Sequence, residues 1–360
     1  MLKASRYTLL TDWLSAVLAS SEQPGVSQLI PLSGDAGFRQ YYRFTHQGQR
    51  LLAVDAPPQH CNNVGFIAIG QALHNENLKV PTIIACDLPR GFFCLTDFGP
   101  QLLADTLVAQ TSDQAIKKCY HQAIKLLPAV ARATLVDNHS TRPQSKVNPY
   151  ALPLYDQAFI EGELALFTQW LLTKHLGIVL TPDQQAQLKG CFAFLTTSIL
   201  SQPTVTTHRD FHSRNIMVLA DGSLAIIDFQ DAVIGPITYD IVSLLRDCYS
   251  RWPEHITEPL FRSFCQLMTE QYALQHISDQ QWQQWFDLMG VQRHLKASGI
   301  FCRLFYRDHK NAYLNDIPLT LSYIQDISAH YPALSFLHQL LTSQVIPALQ
   351  ALSTNARELK

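Results

Sequence analysis

His208-Arg209-Asp210-Phe211-His212-Ser213-Arg214-Asn215 carries two spacings that imply different chemistries. His208 and His212 stand four apart, which on a helix puts two imidazoles on one face, ready for a metal. Asp210 and Asn215 stand five apart, the separation at which a phosphotransferase loop holds a hydroxyl and a magnesium ion. The flanking residues decide between them. "TVTT" (204–207) reads as a strand on one side. On the other, "IMVLADGSLAIIDF" (216–229) is two apolar runs around Asp221-Gly222, a hairpin signal. The octapeptide is therefore a loop between a strand and a hairpin. Its histidines need not share a face, no third ligand follows at metalloprotease spacing, and the zinc reading falls away.

Phosphoryl transfer asks for a group that orients the attacking hydroxyl and takes its proton, oxygen ligands for magnesium, and donors around the phosphates. Asp210 suits the first task. The Asn215 amide oxygen and the Asp228 carboxylate, at the end of the second hairpin strand, suit the second. A strand–loop–hairpin order brings these three separated side chains toward one edge.

H-x-D-x-x-x-x-N followed by an apolar strand ending in I-D-F resembles the signature of the aminoglycoside phosphotransferase-like kinases, relatives of the protein kinases. Longer phrases extend the resemblance: "SGDAGFRQYYRF" (33–44), "LAVDAPP" (52–58), "LTDFG" (95–99), "IDFQDAVIGPITYDIVSLLRD" (227–247) and "RHLKASGIFCRLFYRDHKNAYLNDIP" (293–318). Together they are similar to one branch, the bacterial anomeric kinases of N-acetylmuramate and N-acetylglucosamine in cell-wall sugar recycling. The resemblance implies an α+β, two-lobed protein-kinase-like fold with ATP between the lobes and Mg2+ on Asn215 and Asp228. It also implies a small sugar whose anomeric hydroxyl is oriented by Asp210, and a hinge at Thr96, Asp97 and Phe98 that holds adenine. Asp240, at a helix start, is implied to brace the catalytic loop. His208 reads as a packed, hydrogen-bonded brace of the loop rather than a group that transfers protons.

The residue pattern agrees with two lobes. "SQLIPLSG", "QYYRFTHQG" and "QRLLAVDAP" within 27–57 read as strands, a helix follows around Phe66–Leu73, and "VPTIIAC" and "GFFCLTDFG" add two strands up to Gly99. A small β-rich lobe over 1–96 and a large helical lobe over 97–360 follow. "DQAIKKCYHQAIKLLPAVARATL" and "DQAFIEGELALFTQWLLTKHLG" read as long helices, and Thr181-Pro182 marks another helix start. Leu9, Leu10, Trp13, Leu14 and Val17 recur at helical spacing around Asp12, which favours an amphipathic first helix over an export signal.

Several side chains remain open. Gly34 and Gly37 bracket "SGDAG", a candidate phosphate-covering loop that falls short of G-x-G-x-x-G and equally suits an ordinary turn. The third strand lacks the lysine that protein kinases place on phosphate, leaving Arg39 or Arg43 to supply the charge or to be exposed strand arginines. "TDFG" at Thr96–Gly99 mimics a magnesium motif but precedes the catalytic loop, so Asp97 reads as a hinge or capping residue. Glu163 lies on the apolar stripe of Phe159, Leu166, Phe167 and Trp170, facing either substrate or buried partners. His212, Arg214, Tyr239 and Asp247 are candidate substrate contacts. Arg293, Lys296, Arg303 and Arg307 share one side of a helix, as a solvated charged face or as an anion site suited to a lactyl carboxylate through Arg303.

Composition excludes other classes. The 360 residues are 47% hydrophobic and 16% charged with a net charge of −2, unlike a dedicated nucleic-acid binder. No apolar run long enough to span a membrane is uninterrupted, and eight cysteines without a C-x-x-C pair read as small buried hydrophobes of a reducing compartment. The expectation is a cytoplasmic enzyme with no membrane, nucleic-acid or obligate protein partner. Two other readings stay open: an aminoglycoside or small-alcohol kinase, and a kinase-like regulator that binds nucleotide without turnover.

Overall fold

The computed structural model describes residues 5–19, 28–32, 37–135 and 150–358. Gly34 therefore lies outside the described residues. Two compact units form: Met1–Thr111 with Arg132–Leu152 and Ser213–Ala232, and Ser112–Ala131 with Pro153–His212 and Val233–Lys360. In chain order the first elements are α1 (Arg6–Val17), β1 (Ile30–Pro31), β2 (Gln40–His46), β3 (Gln49–Asp55), α2 (Asn63–Asn75), β4 (Ile83–Asp87), β5 (Phe92–Thr96) and α3 (Leu103–Val108). There follow α4 (Asp113–Ile124), α5 (Leu127–Arg132), α6 (Gln157–Leu166), α7 (Pro182–Leu200), β6 (Thr204–Thr207), β7 (Ile216–Val218), β8 (Leu224–Ile226) and β9 (Val233–Pro236). The remainder is α8 (Tyr239–Leu245), α9 (Glu254–Tyr272), α10 (Asp279–Asp308), α11 (Ile317–Ser328), α12 (Ser335–Leu340) and α13 (Ile346–Glu358).

The first unit is built on an antiparallel sheet in the order β1-β2-β3-β5-β4. Gln47 and Gly48 both take positive φ, the two-residue turn that matches strand twist and pairs His46 with Gln49. α1 covers one face: Leu10, Trp13 and Leu14 bury against Leu29, Phe44, Leu51, Ala53, Phe92 and Cys94. Leu9 and Val17 stay exposed, so the buried stripe is narrower than the periodicity alone indicates. Each large side chain so buried contributes about 1.5–3 kcal/mol. Arg6 fastens α1 to the Asp55 carboxylate at the end of β3.

Between β4 and β5, Gly91 sits at φ +74 with its carbonyl accepting from the Ala56 N–H at 2.8 Å. A Cβ there would meet the Ala56 carbonyl oxygen at 2.0 Å. Gly91→Ala is expected to destabilise the protein by about 1–3 kcal/mol from the left-handed backbone alone, and more from the clash. Urea denaturation checks this, and an unchanged midpoint would contradict it.

The β7–β8 hairpin, remote in sequence, belongs to the first unit. The Ile226 N–H donates to the Lys79 carbonyl at 2.8 Å, and Lys79 Nζ lies 3.0 Å from Asp221 in the hairpin turn. In the second unit the first long helical pattern breaks between α4 and α5 next to Pro128, which has no N–H to continue the ladder. α6 runs on into π-helical turns over Phe167–His175. β9 pairs antiparallel with β6 inside a stretch read as helical from sequence. α10 crosses α6 closely, since a Cβ at Gly299 would stand 2.3 Å from the Leu166 carbonyl. Among the described residues no helix is long and apolar enough to cross a membrane. All eight cysteines are free, and Cys86 is exposed rather than buried.

Candidate active site

In the second unit, β6 ends at Thr207 and the chain turns through Arg209, whose φ of +72 is the left-handed region. Such a backbone persists only where its surroundings hold it. Asp240, in the first turn of α8, does so by accepting the His208 and Arg209 N–H groups at 2.7 and 2.9 Å. Ser243 Oγ donates to the Arg209 carbonyl at 3.2 Å, and the His212 N–H donates to the Asp210 carbonyl at 2.9 Å. Burial pushes the Asp240 carboxyl up to about 7 despite those two N–H donors, with Asp210 adding to the rise and Arg293 opposing it. His208 is buried, its ring edge-on to Phe211.

Arg209 reaches from this loop to Glu163 on α6, Nη2 to Oε1 at 2.6 Å, with its guanidinium 4.9 Å from the Phe159 ring centre. Glu163 is only 6% exposed. It also takes Lys296 Nζ at 3.0 Å, the Tyr155 hydroxyl at 2.6 Å and Gln292 Nε2 at 2.9 Å. Burial raises its pKa, but Lys296, Arg209 and the Tyr155 and Gln292 hydrogen bonds outweigh that and hold it at about 2. Of the two readings of Glu163, the buried-partner one is what the fold shows. Its oxygens are occupied by protein, which corrects its placement among substrate contacts. Asp210 follows the same pattern: burial pushes it up, and Lys296, Arg209, His212 and Arg293 together hold it at about 2.

Asn215 and Asp228 belong to the first unit. The Ile227 N–H donates to the Asn215 carbonyl at 3.1 Å, setting the two segments side by side. Asn215 Nδ2 is 3.4 Å from one Asp228 oxygen, and Gln230 Nε2 is 2.7 Å from the other. Asp228 itself sits at φ +65. Gln230 Oε1 is buried and has no donor among the described residues. The Asp228 carboxylate and the orphaned Gln230 oxygen are hard oxygen ligands of the kind that fit magnesium, with the Asn215 amide oxygen as a third of the same kind. Gln230 was not singled out from sequence, although "IDFQ" departs there from the glycine of protein kinases.

Among the residues expected to meet nucleotide, Arg43 binds Asp97 through two bonds of 2.6 and 3.0 Å and also donates to the Gly99 carbonyl. Asp97 caps the Gly99 N–H at 2.9 Å. Arg43 is thus a structural ion pair and not a spare phosphate cation, and the Asp97 carboxylate is likewise engaged. The Thr96 and Asp97 N–H groups bond to the Thr82 and Arg50 carbonyls, so neither is left for an adenine; Phe98 adjoins them. Gly37 is described and exposed. Arg39 donates to the Asn62 carbonyl at 3.1 Å and lies 4.9 Å from the centre of the Phe66 ring, which stacks on Phe229 beside Asp228. No carboxylate pairs with Arg39 among the described residues. Arg39→Met is therefore expected to weaken nucleotide binding about 10- to 100-fold, the range of one or two charge-assisted bonds. Arg43→Met is expected to act on thermal stability instead. Calorimetric titration and melting curves on both variants separate the two, and equal nucleotide affinities would contradict the distinction.

His212 is buried with its ring edge-on to Tyr249, which adjoins Phe301. Asp247 is buried and accepts the Tyr249 N–H at 3.1 Å, while Arg214 is exposed. The four-cation stripe of α10 is not one solvated face. Arg293 is buried, Lys296 keeps 11% of its side chain exposed, Arg303 is half-buried with no ion pair among the described residues, and Arg307 pairs with Asp308 at 2.8 Å.

The sheet unit, the helical unit and these side chains define a phosphotransferase of kinase-like architecture. Residues 28–275 match the phosphotransferase enzyme family, and the chain belongs to that family. It is a kinase with an alcohol group as acceptor. It is 34% identical to the N-acetylmuramate/N-acetylglucosamine kinase of Pseudomonas aeruginosa, over 94% of this chain and 97% of that one. The identity to the kinase of the same name from Pseudomonas putida is 35%, over 93% and 96%. Among solved structures, LicA, a choline kinase of Streptococcus pneumoniae, in its complex with AMP superposes with a TM-score of 0.57 at 13% identity, covering 90% of this chain and all of LicA.

Proposed function

We propose that the chain transfers the γ-phosphoryl group of ATP to the anomeric hydroxyl of N-acetylmuramate and N-acetylglucosamine, giving sugar 1-phosphates for cell-wall recycling. The observation that carries this reading is the near full-length similarity to kinases of those two sugars. The side chains support it. Asp210, held at about 2 by its cationic neighbours, is a carboxylate throughout the working pH range. So weak a base orients the sugar hydroxyl and takes its proton late, which suits a loose transition state in which little proton abstraction precedes bond breaking. Asp240 and Arg209 keep the loop in its left-handed turn, and Glu163 keeps Arg209 and Lys296 in place around it. Asn215 and Asp228 would hold magnesium, with Gln230 fixing the Asp228 carboxylate. When bound, the ion supplies charge neutralisation on the phosphate oxygens.

Incubation with ATP, magnesium and each sugar, followed by phosphorus–proton correlation NMR, tests the proposal. A phosphorus coupled to the anomeric proton is the expected result. Coupling to the C6 protons would overturn the anomeric assignment, and no turnover of either sugar would overturn the sugar reading.

A further inference from the structure

Arg293 on α10 is the unusual cation of the second unit. Only 6% of it is exposed, yet its one hydrogen bond among the described residues is from Nη1 to the Cys248 sulfur at 3.4 Å. Among the described residues no carboxylate lies within ion-pairing distance of it. Arg209, Lys296 and Arg246, by contrast, each hold a carboxylate, at 2.6, 3.0 and 2.5 Å. Nor is Cys248 a counter-ion. Burial pushes its thiol up to about 11 against the pull of Arg293, so at neutral pH the sulfur is an uncharged acceptor. A guanidinium offers five donors in a rigid fork, and Asp210 and Asp247 act on it by charge alone, so most of the fork is left for a ligand.

Its position gives that fork a purpose. Arg293 precedes Lys296 by one turn on the same side of α10, and Lys296 meets the Glu163 that holds Arg209 beside Asp210. Arg293 also feels the charges of Asp210 and Asp247. Arg303, the other cation of the stripe without an ion pair, lies ten residues on, about 15 Å along the helix.

We propose that Arg293 reads a carboxylate on the acceptor, so that N-acetylmuramate is gripped through its lactyl group while N-acetylglucosamine lacks this contact. The inference rests on the sugar-kinase reading above. A planar fork binds a carboxylate by two parallel bonds, which a lysine cannot reproduce. Arg293 is here a specificity-determining residue for one of two substrates of the same site.

The test compares the unsubstituted chain with Arg293→Gln and Arg293→Lys on both sugars. The quantity read is the ratio of kcat/KM for N-acetylmuramate to that for N-acetylglucosamine. This ratio is independent of how much protein is correctly folded, so a destabilised variant still reports. It is expected to fall about 10- to 100-fold in Arg293→Gln, the worth of a charged hydrogen bond, and by less in Arg293→Lys, with the change residing in KM. An unchanged ratio in both variants would overturn the assignment. No turnover of either sugar by the unsubstituted chain would instead overturn the sugar reading, and this inference with it.

Discussion

Asp210→Asn is expected to lower kcat by about 10²–10⁴-fold, the usual contribution of a positioned acid–base group, and to leave nucleotide affinity close to that of the unsubstituted chain. The asparagine keeps the shape of the side chain and loses both the charge and the capacity to take a proton. Because Lys296, Arg209, His212 and Arg293 overcome the effect of burial and hold Asp210 at about 2, its carboxylate is present from well below neutral pH upward. Any acid limb in the pH–rate profile between pH 5 and 7 therefore belongs to another group. Asp240, raised to about 7 by burial, is the nearest candidate, and it acts by positioning the loop. Steady-state kinetics of Asp210→Asn across pH, with calorimetric nucleotide titration, give the measurement. A loss smaller than about tenfold would remove Asp210 from the chemistry.

The second large effect is on stability. Glu163→Leu leaves Arg209 and Lys296 without their shared counter-ion in a buried site, and is expected to cost about 3–5 kcal/mol at pH 7. Glu163 has a lowered pKa, so its stabilising contribution is fully present above the ordinary carboxylate range. It is lost as pH falls through about 2. The difference between the two proteins should accordingly narrow from pH 5 downward. Urea denaturation at several pH values checks both the size and the direction. Adding Lys296→Met should recover part of the loss, because the two changes remove partners from one network. A Glu163→Leu variant as stable as the parent at pH 7 would show the network to be dispensable.

What could be read along the chain was whatever is encoded locally. The loop His208–Asn215 was legible because a strand, a five-residue spacing and an Asp-Gly hairpin are all short-range signals. The five strands of the sheet were legible for the same reason, through alternation and turn residues at Gln47-Gly48 and Arg90-Gly91. β9 was not, since its four residues become a strand only by pairing with β6, nearly thirty positions earlier. The break between α4 and α5 at Pro128 was signalled by the proline but overridden by the apolar repeat.

The stripe of α10 marks the boundary most clearly. Helical spacing puts Arg293, Lys296, Arg303 and Arg307 on one side, but it does not say whether that side meets water, a carboxylate or a substrate. Those answers came from α6 and α8, which cover the first two cations and leave the fourth in solvent. Arg39 and Arg43 likewise look interchangeable on one strand until Asp97 pairs with Arg43 alone. The amino-acid sequence by itself determined the element types, the catalytic spacing and the family, because each depends on neighbours or on a retained pattern of residues. Only the tertiary structure decided which charges are paired, which are buried and which remain to meet a ligand. A charge's environment is made by segments far away in the chain, brought within a few ångströms by packing.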